Sequence, residues 1–222
     1  MGTASAYERA LILGFFAAVS ALLCWLIPTP QYFVLWDTPL LPALWFGLVL
    51  CSGVALWASR SIFDLFAVLL ASFVAWVAAF ETTLHLNQNI LEQIQSSSSS
   101  GIGAPAINYL TGMCGIIGGF VGSAIVICAV SAVLRSLLTS NSWALPILLG
   151  TVTGSFLELM VEPSQGGLPI HIGSVLPLFL AWQTSVAASI AFGVKPQLTY
   201  MPPPQRPQTL APNTAPPAAA SR

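Results

Sequence analysis

The two histidines and several acids of this 222-residue chain fall in two short stretches of sequence. Glu81 and His85 are four residues apart, which places both on one face if the segment is helical. Glu158 and Glu162 have the same spacing, and His171 follows nine residues later. Carboxylate and imidazole together suit Zn, Mn, Fe or Ni, and they can also relay a proton. The pattern therefore predicts a metal or proton site built from these five residues.

The sequence motifs of known metalloenzymes are absent from this chain. It contains neither H-E-x-x-H nor the paired E-x-x-H of carboxylate-bridged metal centres. The alternative interpretation is that these side chains are solvated in extracytoplasmic loops, with Glu158 a single buried carboxyl held by a Ser or Thr. No cofactor is indicated and no nucleophile is paired with a base, so we do not expect an enzyme.

The composition indicates that lipid surrounds the elements that carry these residues. Of the chain, 56% is hydrophobic and 6% is charged, whereas a soluble domain carries roughly a quarter charged residues. The net charge of −1, without clustered cations, excludes a nucleic-acid partner. The four cysteines lie singly inside apolar runs, which is typical of packing residues. The lipid bilayer is the expected partner.

Six apolar stretches predict an all-α integral membrane protein, a bundle of about six transmembrane helices. Each stretch reaches the roughly 17–25 residues that cross a bilayer as a helix. The fourth is longer, so it tilts, kinks, extends past the lipid or divides into a re-entrant segment and a span. This transmembrane domain covers residues 1–194. The predicted spans are 10–27, 40–58, 62–80, 107–134, 143–161 and 171–194.

The positions of the cations predict the orientation of these spans. Every Lys and Arg precedes the first span, lies between the second and third or the fourth and fifth, or follows the sixth. The other three loops contain Asp or Glu but no Lys or Arg. Under the positive-inside rule both termini are cytoplasmic, in a cell (inner or plasma) membrane, and the number of spans is even. The cations are Arg9, Arg60, Arg135, Lys195, Arg206 and Arg222.

Residues between and after the spans have patterns of their own. The third helix is predicted to continue through residues 81–95 and to break at the serine run 96–100. The loop 28–39, bracketed by prolines and aromatic in its middle, is expected to dip into the outer interface. The tail 195–222 is rich in Pro and Ala, cannot bury a core and is predicted to be disordered in the cytoplasm.

Small residues predict where the helices pack. The fourth span carries Gly112, Gly115, Gly119 and Gly122 on one stripe, which lets a neighbouring backbone approach closely. The neighbour is either another helix of the chain or a second subunit, so a homo-oligomer or a further membrane partner is a possible consequence. Trp76 and Trp182 are expected between helices, and Gln183 and Thr184 predict either inter-helix hydrogen bonds or a polar path.

Two functions fit this pattern. The first is a non-enzymatic membrane protein that acts as an accessory or scaffold subunit, in agreement with the glycine stripes and the disordered tail. The second is a small transporter or channel for a metal ion or a proton-coupled solute, with the Glu/His cluster as its extracytoplasmic site. An intramembrane enzyme is the least favoured, because its motif is absent.

Overall fold

Helices make up nearly all of the regular structure in the computed structural model, which describes residues 5–27, 29–35, 38–57, 61–96, 104–134, 142–160 and 176–194. The prediction of an all-α fold is confirmed for this part of the chain. A 3-10 segment, Ser155–Met160, prolongs the fifth of these helices. The helices are α1 (Ala6–Leu26), α2 (Leu41–Trp57), α3 (Ile62–Ser96), α4 (Ala104–Val133), α5 (Ala144–Gly154) and α6 (Leu176–Gly193).

Four of the six described helices are long and apolar enough to cross a membrane. They are α1, the Ile62–Ile90 part of α3, the Tyr109–Val133 part of α4, and α6. The apolar helices Leu41–Trp57 and Ala144–Leu157 are shorter. This composition is compatible with a membrane location.

Two predicted boundaries differ from the observed ones for local reasons. α1 begins at Ala6, before residue 10, because Ser5 and Glu8 form a capping box: the Glu8 amide donates to Ser5 Oγ at 3.2 Å and the Ser5 amide to Glu8 Oε2 at 2.6 Å. α4 is one continuous helix from Ala104 to Val133, so these residues do not divide into a re-entrant segment and a span. α3 continues to Ser96, as predicted.

The described helices form a ring in chain order. Each helix packs against the next one along the chain, and α6 packs against α1 to close the ring. Neighbouring helices are antiparallel. For example, Gly53, near the end of α2, lies beside Leu13 in the first half of α1. Aliphatic side chains fill the centre of the ring. Phe46 contacts Trp182 there, with ring centroids 5.2 Å apart.

The short connection between α1 and α2 folds onto α3. It contains a two-residue antiparallel pairing of Val34–Leu35 with Thr38–Pro39. Phe33 contacts Phe73 edge to face at 6.4 Å, and the Trp76 indole N–H donates to the Pro39 carbonyl at 2.7 Å. These contacts attach the connection to α3 at Phe73 and Trp76.

Candidate functional site

Glycines bring α4 and α5 into backbone contact. A Cβ at Gly115 or at Gly154 would overlap the backbone of the other residue, and a Cβ at Gly119 would overlap the Gly150 carbonyl. A Cβ at Gly150 would lie 2.6 Å from that of Ser123. The two helices therefore approach more closely than any side chain would allow.

A second glycine face of α4 packs against α3. A Cβ at Gly118 would overlap the Thr83 hydroxyl, and one at Gly122 would lie 3.0 Å from that of Ala79. Gly115, Gly119 and Gly122 thus mediate packing against other helices of the same chain, which is one of the two predicted neighbours. Association of the stripe with another subunit stays a prediction.

A partly open cavity of about 100 Å³ lies beside this contact, bordered by residues of α3, α4, the end of α5 and α6. We name it the glycine cavity. Its walls are glycine backbone, leucine side chains and four aromatic rings: Trp76, Phe80, Phe179 and Trp182. Trp76 and Phe179 meet edge to face at 5.0 Å, so they bridge α3 and α6 along one wall.

The threonine and asparagine side chains along the cavity are hydrogen-bonded to protein, whereas the buried Trp182 Nε1 has no hydrogen-bond partner among the described residues. The Thr83 hydroxyl donates to the Ala79 carbonyl at 2.8 Å, and the Thr111 hydroxyl donates to Asn87 Oδ1 at 3.3 Å. Asn87 is 4% exposed. A water needs two to four polar partners, which these walls do not offer.

Glu81 and His85 form the described part of the predicted metal site. His85 Nε2 lies 3.5 Å from Glu81 Oε2, and the Thr38 hydroxyl also donates to Glu81. The His85 side chain is 71% exposed. Among the side chains that the structure describes, no three His, Cys, Asp or Glu come together.

The other three predicted site residues cannot be located relative to this pair. Glu158 belongs to the 3-10 segment Ser155–Met160, and its side chain lies outside the described part. Glu162 and His171 also lie outside the described residues. The metal or proton site therefore stays a prediction. The structure describes one part of it, the contact between Glu81 and His85 on α3.

Arg9 has a structural role that sequence reasoning missed. Its side chain is 5% exposed and donates from Nη2 to the Val194 carbonyl at 2.6 Å and from Nε to the Ala191 carbonyl at 3.4 Å. A cation at the C-terminus of a helix satisfies carbonyls that have no partner within the helix and opposes the negative end of its dipole. Arg9 thus joins the start of α1 to the end of α6.

A buried polar contact lies farther along the same helix pair. The Ser20 hydroxyl donates to Gln183 Oε1 at 2.9 Å, and Gln183 is fully buried. The inter-helix hydrogen bond predicted for Gln183 is confirmed. Gln183 Nε2 and Thr184 Oγ1 have no hydrogen-bond partner among the described residues.

Comparison with known proteins identifies no relative. No protein family, no curated protein and no solved structure matches the chain. A functional assignment therefore depends on the residues and contacts described above.

Proposed function

We propose that this chain is a six-span integral membrane protein, with both termini in the cytoplasm, that serves as a non-enzymatic accessory or scaffold subunit. The observation that carries the proposal is the closed ring of helices with an apolar, filled centre. Such a ring offers a stable apolar surface on all sides and little chemistry inside.

The lengths of the two shorter helices are consistent with six spans. At a rise of 1.5 Å per residue, the 17 residues of α2 cover roughly 25 Å. α5 and its 3-10 continuation together cover about 28 Å, given the larger 3-10 rise of about 2 Å. Both values approach the roughly 30 Å hydrocarbon core.

The outward face of the ring supports a lipid environment. Large apolar side chains are exposed on it, and Leu11 at 73%, Leu56 at 68% and Phe63 at 80% are examples. Soluble monomers rarely expose contiguous apolar patches above a few hundred Å². Lipid acyl chains cover such a face without exposing its apolar side chains to water.

The Arg9 contacts support the orientation. Because Arg9 bonds the carbonyls of Ala191 and Val194, the first and last helices have these ends on the same side. That arrangement requires an even number of crossings. Lys195 follows at once in the sequence, so the positive-inside rule favours the cytoplasm for this side.

Labelling of single cysteines tests the topology. In a variant without the four native cysteines, Ser5→Cys and Gln88→Cys are exposed to a membrane-impermeant maleimide on intact cells. We expect labelling of Gln88→Cys in intact cells and of Ser5→Cys only after permeabilisation. Labelling of Ser5→Cys in intact cells would contradict the proposed orientation.

The size of the complex in mild detergent extracts of the native membrane tests the accessory role. We expect the chain to migrate in an assembly larger than its own 23.4 kDa plus micelle. Glu158→Gln, the control, should leave the assembly intact. Gly119→Leu should dissolve it, because this substitution separates α4 from α5. A chain that migrates alone would contradict the accessory role.

The second candidate is a metal-ion transporter, which the Glu81–His85 ion pair favours. Its test is the thermal unfolding midpoint in detergent with added Zn, Mn, Ni or Co, for wild type, His85→Ala and His171→Ala. A ligand of the folded state at 100 times its Kd stabilises by about 2.7 kcal/mol. A rise specific to one metal, and lost in both variants, would support the transporter. No rise with any metal would support the accessory subunit.

A further inference from the structure

The segment that continues α5, Ser155–Met160, is wound as a 3-10 helix over six residues. Runs of more than three or four such residues are uncommon, because their hydrogen bonds to the third preceding residue have poorer geometry than those of an α-helix. A single 3-10 turn at the end of an α-helix is ordinary, but this run has the length of two turns. The winding of this segment is therefore held by its particular side chains and surroundings.

Ser155 stabilises the 3-10 winding where the segment begins. Its φ of −62° and ψ of −19° lie close to 3-10 values, and its amide donates to the Val152 carbonyl, three residues earlier. Its hydroxyl donates to the same carbonyl at 2.7 Å. In an α-helix, the Val152 carbonyl would instead accept from the amide of Phe156. Because Ser155 already satisfies this acceptor twice, it reduces the gain from α winding.

The surroundings of the segment leave room for α winding. Each residue turns by about 120° in a 3-10 helix and by about 100° in an α-helix, with rises of about 2.0 and 1.5 Å. Relative to Gly154, α winding would therefore turn Leu157 by about 60° and retract it by about 1.5 Å. Leu157 lines the glycine cavity, so this movement requires less repacking than it would in a filled core. Gly154 itself is held by backbone contact with Gly115.

We propose that Ser155–Met160 is a conformational switch that alternates between 3-10 and α winding, with Gly154 as its pivot. In the α form, Leu157 leaves its present place on the wall of the glycine cavity, and the segment is about 3 Å shorter. Glu158 belongs to the segment, so the two windings place its backbone at different positions around the helix axis. The switch is independent of the accessory role, because it depends only on contacts within the chain.

Nuclear Overhauser contacts distinguish the two windings in the full-length protein in detergent micelles. A contact from the Hα of one residue to the amide two residues later marks a 3-10 helix, and a contact to the amide four residues later marks an α-helix. Ser155→Ala removes the hydroxyl that donates to Val152. Thr151→Ala is the matched control on the same helix, since the Thr151 hydroxyl donates to the Ile147 carbonyl, four residues earlier, at 2.7 Å.

In the wild-type protein we expect both kinds of contact within Ser155–Met160. In Ser155→Ala the α-helical contacts should become at least twofold stronger relative to the 3-10 contacts, whereas Thr151→Ala should match wild type. Contacts of one kind alone in all three proteins would overturn the proposal, because they would show a single fixed winding. Loss of both kinds in Ser155→Ala would also overturn it, since the segment would then be a fraying helix end.

Discussion

The two ends of the helix ring are packed to different densities. At the end that holds Arg9, which we call the Arg9 end, Leu13, Leu50 and Ile190 are at most 3% exposed and border a residual void of about 10 Å³. At the opposite end, which holds Glu81 and which we call the Glu81 end, the glycine cavity leaves about 100 Å³ unfilled. The same helices therefore form a tight core at one end and a cavity at the other.

The side chains at each end explain this difference. Aliphatic residues at the Arg9 end adjust their rotamers and interdigitate. At the Glu81 end, Gly115, Gly119 and Gly154 set the separation of α4 and α5 through their backbones. Trp76 and Phe179 are large, rigid rings that cannot fold into the remaining space. Close backbone contact and a neighbouring void thus arise from the same residues.

Gly119→Leu should have the largest effect, because it separates α4 from α5 and removes the wall of the glycine cavity. We expect a loss of about 3 kcal/mol or more, since the side chain would overlap the Gly150 carbonyl. Unfolding in detergent with increasing dodecyl sulfate measures it. Cys128→Leu is the control, an enlargement on the exposed face of the same helix. Equal losses in both variants would refute close α4–α5 packing.

Truncation of leucines at the two ends compares their packing directly. Leu50→Ala at the Arg9 end should lose about 3 kcal/mol, because a fully buried side chain leaves a new cavity. Leu84→Ala should lose about 1 kcal/mol, because this side chain is only half-buried and borders a cavity, so it makes fewer packing contacts to lose. The same unfolding assay applies. A larger loss for Leu84→Ala would contradict the difference in density.

Arg9→Ala tests the link between the first and last helices. We expect a loss of about 2 kcal/mol, because the carbonyls of Ala191 and Val194 lose a charged donor. Arg9→Lys keeps the charge but not the planar fork, and it should fall between wild type and Arg9→Ala. If Arg9 served only to orient the first helix, Arg9→Lys would match wild type in stability.

Ser20→Ala should have the smallest effect, about 1 kcal/mol, because inter-helix hydrogen bonds in membranes are individually weak. Gln183→Leu removes the unpaired Nε2 but leaves the buried Ser20 hydroxyl without its acceptor, so it should also destabilise, whereas the double variant Ser20→Ala/Gln183→Leu should be close to neutral. A double-mutant cycle on the thermal midpoint measures the coupling of the pair. Strictly additive losses would contradict the Ser20–Gln183 hydrogen bond.

Features that depend on local sequence were predictable for this chain. Continuous apolar runs predicted the helices, and the pattern through residues 81–95 predicted the extension of α3. The glycine spacing predicted close packing of α4, but the predicted stripe divides between two faces, since Gly115 and Gly119 meet α5 and Gly122 meets α3. The helices follow from 3.6-residue periodicity, and the close packing follows from the absence of a side chain in glycine. Both can be read directly from the sequence.

Features that depend on contacts distant in sequence were not predictable. The burial of Arg9 requires that α1 lie beside α6, which no local pattern indicates. The shape of the glycine cavity depends on the contact between the aromatic side chains of Trp76 on α3 and Phe179 on α6. In the candidate metal site, the spacing predicted the Glu81–His85 contact because four residues make one helical turn.

Closure of the ring between α1 and α6 has a consequence for synthesis of the chain. The acceptors of the Arg9 guanidinium lie 182 and 185 residues later in the sequence. At translation rates of 5–20 residues per second, roughly 10 to 40 s pass before they emerge from the ribosome. During that time α1 lacks the two carbonyl acceptors of Arg9 and the Gln183 acceptor of the Ser20 hydroxyl. The contacts between α1 and α6 can therefore form only after α6 has been made, so closure of the ring is a late step in synthesis of the chain.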